Sequence, residues 1–236
     1  MISSALQPVV EVHKLKRYYQ LGATVVHALR GVTLSVAQAE MVGIMGPSGS
    51  GKSTLMHLIG CLDTPTEGVV RIEGQDVSRL RETELAAVRN RKVGFVFQQF
   101  NLLPRITVLE NVATPLLYAG IPARHRREKA ATALERVGLA ERLQHRPNEL
   151  SGGQRQRVAV ARALVTGPSL ILADEPTGNL DSTTGSAILK LFDEINRSGT
   201  TVLIVTHDSS VVEVCHRVVH LRDGLIESDT GNNRAV

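Results

Sequence analysis

The run Gly46-Pro47-Ser48-Gly49-Ser50-Gly51-Lys52-Ser53-Thr54 has residue types suited to holding a chain of phosphates. Its pattern is Gly, four residues, then Gly-Lys-Ser. Glycines let the backbone bend so that successive N–H groups point inward at phosphate oxygens. A helix opening at the end of the run adds unpaired N–H groups and the positive end of its dipole. Gly46, Ser48, Gly49, Ser50, Gly51 and Thr54 form the expected cradle. Lys52 can reach the β- and γ-phosphates, and the Ser53 hydroxyl can ligate Mg²⁺. A flexible Gly/Ser loop shares this composition but not its flanks. Met41 to Met45 reads as a buried strand and Leu55 to Ile59 as a helix.

Two further stretches supply complementary chemistry. In Leu170-Ile171-Leu172-Ala173-Asp174-Glu175, four apolar residues place an acid pair at the carboxyl end of a strand. Ligands of open parallel sheets sit at that edge. Asp174 is suited to hold Mg²⁺, through water. Glu175 points differently and can serve as general base or water positioner for attack on a γ-phosphate. A helix N-cap would account for one acid better than for two. In Leu150-Ser151-Gly152-Gly153-Gln154-Arg155-Gln156-Arg157-Val158, Ser151 reads as the cap of a helix reaching about Leu164. Its Gly-rich start exposes N–H groups as an anion site. By itself a Ser-Gly-Gly helix start is commonly only a loop.

The remaining pattern says what must position these groups. Val9 to Val12 and Val32 to Val36 alternate as strands do, and Val69 to Ile72 and Val93 to Phe97 are further strands. From about Pro104 to Val165 the spacing turns helical, through Leu109, Val112, Leu116 and Leu117, then Ala131, Leu134, Val137 and Leu139. Pro104, Pro115, Pro122 and Pro147 punctuate this stretch. A helical subdomain inserted into a strand-rich core is expected there. After the Asp174 strand come a helix over about Thr183 to Asn196, closed by Ser198-Gly199, a strand at Thr201 to Thr206, a short helix, and a hairpin turning at Arg222-Asp223-Gly224. The polar tail from Ser228 is expected to fray.

Composition removes other function classes. The 236 residues carry a net charge of +4 and a pI of about 9.3, a mild basicity whose densest cluster, Arg124 to Lys129, reads as a solvated helix face. Aromatic residues make up 3% and Trp is absent, which argues against stacking platforms for single-stranded nucleic acid. Cys61 and Cys215 form no Cys-x-x-Cys motif and suit a reducing cytosol. His216 and His220 would share one strand face with Cys215 on the other, which is not a metal ligand set. Met1 to Pro8 shows no signal peptide, and no apolar run reaches the roughly 18–20 residues of a membrane span. A soluble chain that reaches membranes only through a partner is expected.

With these motifs in order, the chain resembles the ATP-binding-cassette (ABC) ATPases over nearly its whole length, about Val9 to Glu227. Ser151, Gly152, Gly153 and Gln154 match the family signature. Gln98, in Phe95-Val96-Phe97-Gln98-Gln99, resembles the glutamine that contacts Mg²⁺ and senses the γ-phosphate, with Gln99 as the alternative. Asp181, in Asn179-Leu180-Asp181, resembles the acid of the loop after the Asp-Glu strand. His207 resembles the switch histidine. Tyr19, placed in a loop between the first two strands, matches the aromatic residue that stacks on adenine, with Tyr18 as the alternative. The resemblance implies an α/β fold: a P-loop NTPase core with a mixed sheet, an N-terminal antiparallel β-subdomain and an inserted helical subdomain at about 104–165, within one cassette over 1–236. Phe97 to Pro104 and Asp174 to Asp181 look like the MacB/LolD branch, which serves macrolide and peptide export and lipoprotein release.

The resemblance further implies ATP and Mg²⁺ as ligands and ATP hydrolysis as the reaction. Lys52, Gln98, Glu175 and His207 would carry catalysis, and Ser53, Gln98 and Asp174 the metal. One chain would hold half of each ATP site, so two copies would close head to tail around two nucleotides. Its partners would be permease subunits with few spans, with room for a periplasmic adaptor, at the cytoplasmic face of the inner membrane. Nucleic acid is not expected. The competing classes are a soluble ABC ATPase acting on ribosomes or DNA and a non-enzymatic nucleotide sensor. The first commonly carries paired cassettes or a coiled-coil insert; here there is one cassette, and the 99 residues from Lys52 to Ser151 leave no room for a coiled coil. Intact Glu175 and His207 count against the second. Phe100, Leu102, Leu103, Ile106, Val108 and Leu109, rimmed by Arg105 and Glu110, are the expected permease-docking patch.

Overall fold

The computed structural model describes residues 8–231. Among them, six strands form one sheet. In spatial order these are β10 (Leu225–Gly231), β9 (Arg217–Arg222), β3 (Met41–Met45), β8 (Thr201–Val205), β7 (Leu170–Asp174) and β6 (Val93–Phe97). All pair in parallel except β10, which returns antiparallel along β9. The apolar runs are continuous because both sheet faces are covered. Side chains of β7 and β8 alternate between two cores. Ile171, Ala173, Val202 and Ile204 enter one, and Leu170, Leu172, Leu203 and Val205 the other.

The second core lies between this sheet and a four-stranded antiparallel sheet ordered β2 (Thr24–Val36), β1 (Val10–Leu21), β4 (Glu67–Ile72) and β5 (Gln75–Asp76). Helix α1 (Lys52–Ile59) fills it with Leu55, Met56, Leu58 and Ile59. The first core is closed by α3 (Val108–Tyr118), α4 (Ala123–Arg136), α5 (Gly152–Leu164) and α6 (Ser182–Arg197). Helix α2 (Glu82–Lys92) lies before β6 and buries only Leu85 and Val88.

Several expectations are corrected. The first two strands run to Leu21 and from Thr24, so Tyr19 lies within β1, paired with Val26, and not in a loop. Ser228 is not the start of a frayed tail. Ser228, Asp229, Thr230 and Gly231 pair with His220, Val219, Val218 and Arg217, and Arg217 grips both carboxylate oxygens of Asp229 at 2.6 Å. Leu117 faces outward at 54% exposure. Val108 and Leu109 of the expected docking patch are core residues, and Leu102 packs partly against that core; Leu103 is the exposed member at 51%. The expectation of no leader falls, apart from Pro8, outside the described residues.

Candidate active site

Because β3, β6, β7 and β8 run in parallel, their carboxyl ends share one edge. The phosphate loop follows β3, Gln98 follows β6, Asp174 ends β7 and His207 follows β8 by two residues. The sheet therefore gathers residues far apart in sequence onto one rim, where ligands of such sheets bind. A cleft of about 650 Å³ opens there, walled by Ser48 to Thr54, Asp174, Glu175 and His207.

The loop has the form of an anion cradle. Gly46 sits at φ 150°, and a Cβ there would lie 2.1 Å from the Leu221 carbonyl oxygen. Gly51 sits at φ 103°, with the Ala28 carbonyl oxygen 2.5 Å from the place of a Cβ. No side chain caps the start of α1, so its first N–H groups remain available. The Ser50 hydroxyl is buried without a hydrogen-bond partner. A buried orphan of this kind requires an explanation, and a phosphate oxygen in the cradle supplies one. Lys52 Nζ donates to the carbonyls of Gly46 and Pro47 at 2.8 and 2.9 Å. Ser53 is exposed and Thr54 half-buried.

The acid pair divides as its positions suggest. Burial, then the charge of Glu175, raises the pKa of Asp174, against the opposing pull of His57 and Lys52. A cation would relieve that cost. Glu175 stands in the left-handed region at φ 45°. Its Oε1 accepts from the His207 backbone N–H at 3.1 Å and lies 2.7 Å from His207 Nδ1; its Oε2 accepts from the Thr206 hydroxyl at 2.9 Å.

Other sequence-named residues stand outside the cleft. Gln98 turns toward the loop after β7. Its Nε2 reaches Asn179 Oδ1 at 3.5 Å, and its backbone carbonyl accepts from Asn179 Nδ2 at 2.9 Å. Ser151 caps α5, accepting from the Gln154 N–H at 3.3 Å while Gln154 Oε1 accepts from the Ser151 N–H at 2.9 Å. Gly152 and Gly153 let this helix start lie against Leu180 and Thr184. Asp181 caps α6 through the N–H and hydroxyl of Thr184, which hold its carboxyl below the usual carboxylate range. The Tyr19 hydroxyl donates to Asp63 at 2.9 Å, and the Arg17 guanidinium lies 4.7 Å from its ring centroid. Tyr18 packs edge-on against His27 at 4.4 Å.

Sequence reasoning assigned no role to five contributors. Val26, His27 and Ala28 of β2 wall the cleft, and no motif marks them. Thr206 bridges Glu175 and the Asp208 N–H. Asn179 holds Gln98 from both ends of that residue.

A phosphate loop opening a helix beside a parallel sheet, with an acid pair on a nearby strand end, defines a P-loop nucleotide-hydrolase fold. The ABC transporter family model matches residues 29–178, and this chain belongs to that family as an ATP-binding cassette. It is 56% identical over 94% of its length to an uncharacterized ABC transporter ATP-binding protein of Thermotoga maritima, and covers 95% of it. It is 51% identical over 94% of its length to the macrolide export ATP-binding/permease protein MacB of Syntrophobacter fumaroxidans, of which it spans only 32%. Among solved structures, the ATP-binding cassette MJ0796, a post-hydrolysis dimer bound to ADP and Pi, superposes with a TM-score of 0.88 at 44% identity over 96% of this chain and 100% of that one.

Proposed function

We propose that two copies of this chain close around two Mg-ATP and that their hydrolysis cycle drives a permease of the MacB/LolD type, in export or in lipoprotein release. The observation that carries this reading is the convergence of the phosphate loop, Asp174, Glu175 and His207 on one cleft whose buried Ser50 hydroxyl has no partner. Gly46 to Thr54 would bind the triphosphate, with Lys52 on its terminal phosphates. Ser53 and Asp174, which line the cleft, would hold Mg²⁺, and Gln98, turned to Asn179 here, would join them by swinging inward. A hydroxyl and a carboxylate fit that ion, which is commonly held by one or two carboxylates together with substrate phosphates. When bound, Mg²⁺ would neutralise charge on the phosphate oxygens. Glu175 would orient and deprotonate the attacking water, and His207 would keep the Glu175 carboxylate aimed. Tyr19 would stack on adenine, backed by Arg17.

Ser151 to Gln154 lie away from this cleft within one chain, so they would serve the ATP of a second copy, together with Asp181 of the loop after β7. A second helix start closing over the γ-phosphate adds donors and excludes water. No helix of the described residues is long and apolar enough to cross a membrane. The membrane part, and any periplasmic adaptor, would come from partners, with this chain peripheral on the cytoplasmic face. A groove of about 730 Å³ between α2, β6, α3 and α5, floored by Phe95 and Phe97 and rimmed by Tyr118 and Asn101, is where the permease would dock, with the exposed Leu103 two residues past that rim as part of the same surface. The test is light scattering of Glu175→Gln with and without Mg-ATP. A nucleotide-dependent dimer is expected, since ATP bound at the interface stabilises the closed pair by mass action. An equal dimer without ATP would remove the proposal.

A further inference from the structure

The turn just after Gln98 is strained. Phe100 and Asn101 are successive non-glycine residues in the left-handed region, at φ 61° and 49°. Such conformations persist where surrounding groups over-determine them. Here the groups come from α5. Arg162 donates through Nη2 to the Phe100 carbonyl at 2.9 Å and through Nη1 to the Asn101 carbonyl at 2.5 Å. Arg155, seven residues earlier on the same face of the helix, lies 5.2 Å from the Phe100 ring centroid. None of the ion pairs among the described residues includes Arg162. Its fork is committed to two neutral carbonyls.

The same helix holds the loop after Glu175. Gln156 is fully buried and its Nε2 donates to the Pro176 carbonyl at 2.7 Å. Helix α5 thus grips both segments that bear the proposed γ-phosphate residues, while its own N-terminus carries Ser151.

We propose that Arg162 is a positioning residue for Gln98. Its two-pronged grip on the Phe100–Asn101 turn fixes where Gln98 stands and ties that setting to α5. This rests on the reading of the cleft as an ATPase site with Gln98 as its γ-phosphate sensor. A lysine cannot replace the fork, because an ammonium is a point charge with no paired planar donors. When the turn relaxes, the phosphate cradle stays intact while Gln98 is lost from register. Turnover should therefore fall without a matching fall in nucleotide affinity.

The experiment uses the full chain as wild type, Arg162→Lys, Gln98→Ala and the double variant, with steady-state ATPase assays and melting curves. Arg162→Lys is expected to lower kcat by on the order of tenfold with KM for ATP little changed. It should also shrink the extra thermal shift that Mg-ATP gives over Mg-ADP. In the Gln98→Ala background it should add no further loss, since both changes remove one function. A purely structural arginine would instead reduce the ATP and ADP shifts alike and would add its loss in both backgrounds. That result, or wild-type turnover in a folded Arg162→Lys, overturns the proposal. If Arg162→Lys does not fold, Arg162→Gln, which also removes the paired fork, stands in, with the same non-additivity with Gln98→Ala expected and additive or absent loss overturning the proposal. A wild type that binds but does not hydrolyse ATP overturns the ATPase reading of the cleft itself.

Discussion

His207 Nδ1 lies 2.7 Å from Glu175 Oε1, joining residues 32 positions apart across the ends of two adjacent parallel strands. The carboxylate is gripped on both oxygens, with the Thr206 hydroxyl on the other. Glu175→Gln should leave nucleotide binding intact, because the phosphate cradle is untouched. Turnover should fall by about 100-fold or more, the usual cost of losing a general base. His207→Ala should lower turnover to a lesser extent at nearly unchanged melting temperature, since 74% of the His207 side chain is exposed. ATPase assays and nucleotide titrations measure both, and near wild-type turnover in Glu175→Gln would rule out its role as base.

Tyr19 is held from two sides, by Asp63 at its hydroxyl and Arg17 at its ring. Tyr19→Ala should weaken ATP binding by about 1 kcal/mol, the order of one aromatic stacking contact. Tyr19→Phe should cost less, because the ring remains. Nucleotide titrations of these variants beside Tyr18→Ala decide between the two tyrosines. Damage confined to Tyr18→Ala would move the adenine site to the Tyr18–His27 pair.

Leu103 is the exposed apolar residue of the segment after Gln98, whereas Val108 and Leu109 lie inside. Leu103→Glu should abolish co-purification with the permease while leaving the melting temperature and basal ATPase intact, because a charge at an apolar contact is left unpaired. A detergent pull-down beside a melting curve measures this. Retained binding would take Leu103 out of the interface.

Burial pushes the Cys61 thiol up to about 11 and the Cys215 thiol up to about 12. Both are raised acids, so the neutral form is favoured in the fold. Their contribution to stability is complete below the unfolded value of 9.0 and is lost as pH climbs through about 11 and 12. Neither thiol should react with a disulfide reagent in the native protein at pH 8, and both should react once it is unfolded. Fast native labelling would show that these side chains are accessible.

The phosphate loop, Gln98, Asp174, Glu175 and His207 were legible as one sheet edge because each ends or follows a strand that the sequence marks clearly. Apolar runs such as Leu170 to Ala173 bury both faces, and their polar ends then mark the sheet edge. Helix α5 was legible from its Ser151 cap, since the capping chemistry is local. What was hidden depends on pairing. Helix α2 buries two residues and shows no apolar stripe. The length of β1 past Val12, which carries Tyr19, rests on its partners in β2 and β4 and on bulges that break its alternation. The tail beyond Ser228 reads as polar, yet it forms a strand because Arg217 waits for Asp229. Asn179 and Thr206 were hidden because their partners lie 81 and 31 residues away.

The wall behind Gly46 has a consequence for synthesis. The Leu221 carbonyl crowds the place where a Gly46 side chain would stand, and the Gly224 N–H donates to the Ser50 carbonyl at 3.0 Å. A nascent chain therefore emerges with its phosphate loop early and the backing of that loop last. A chain ending before Leu221 would lack that backing, and its phosphate loop is expected to lose the shape set by β9 and the turn after it.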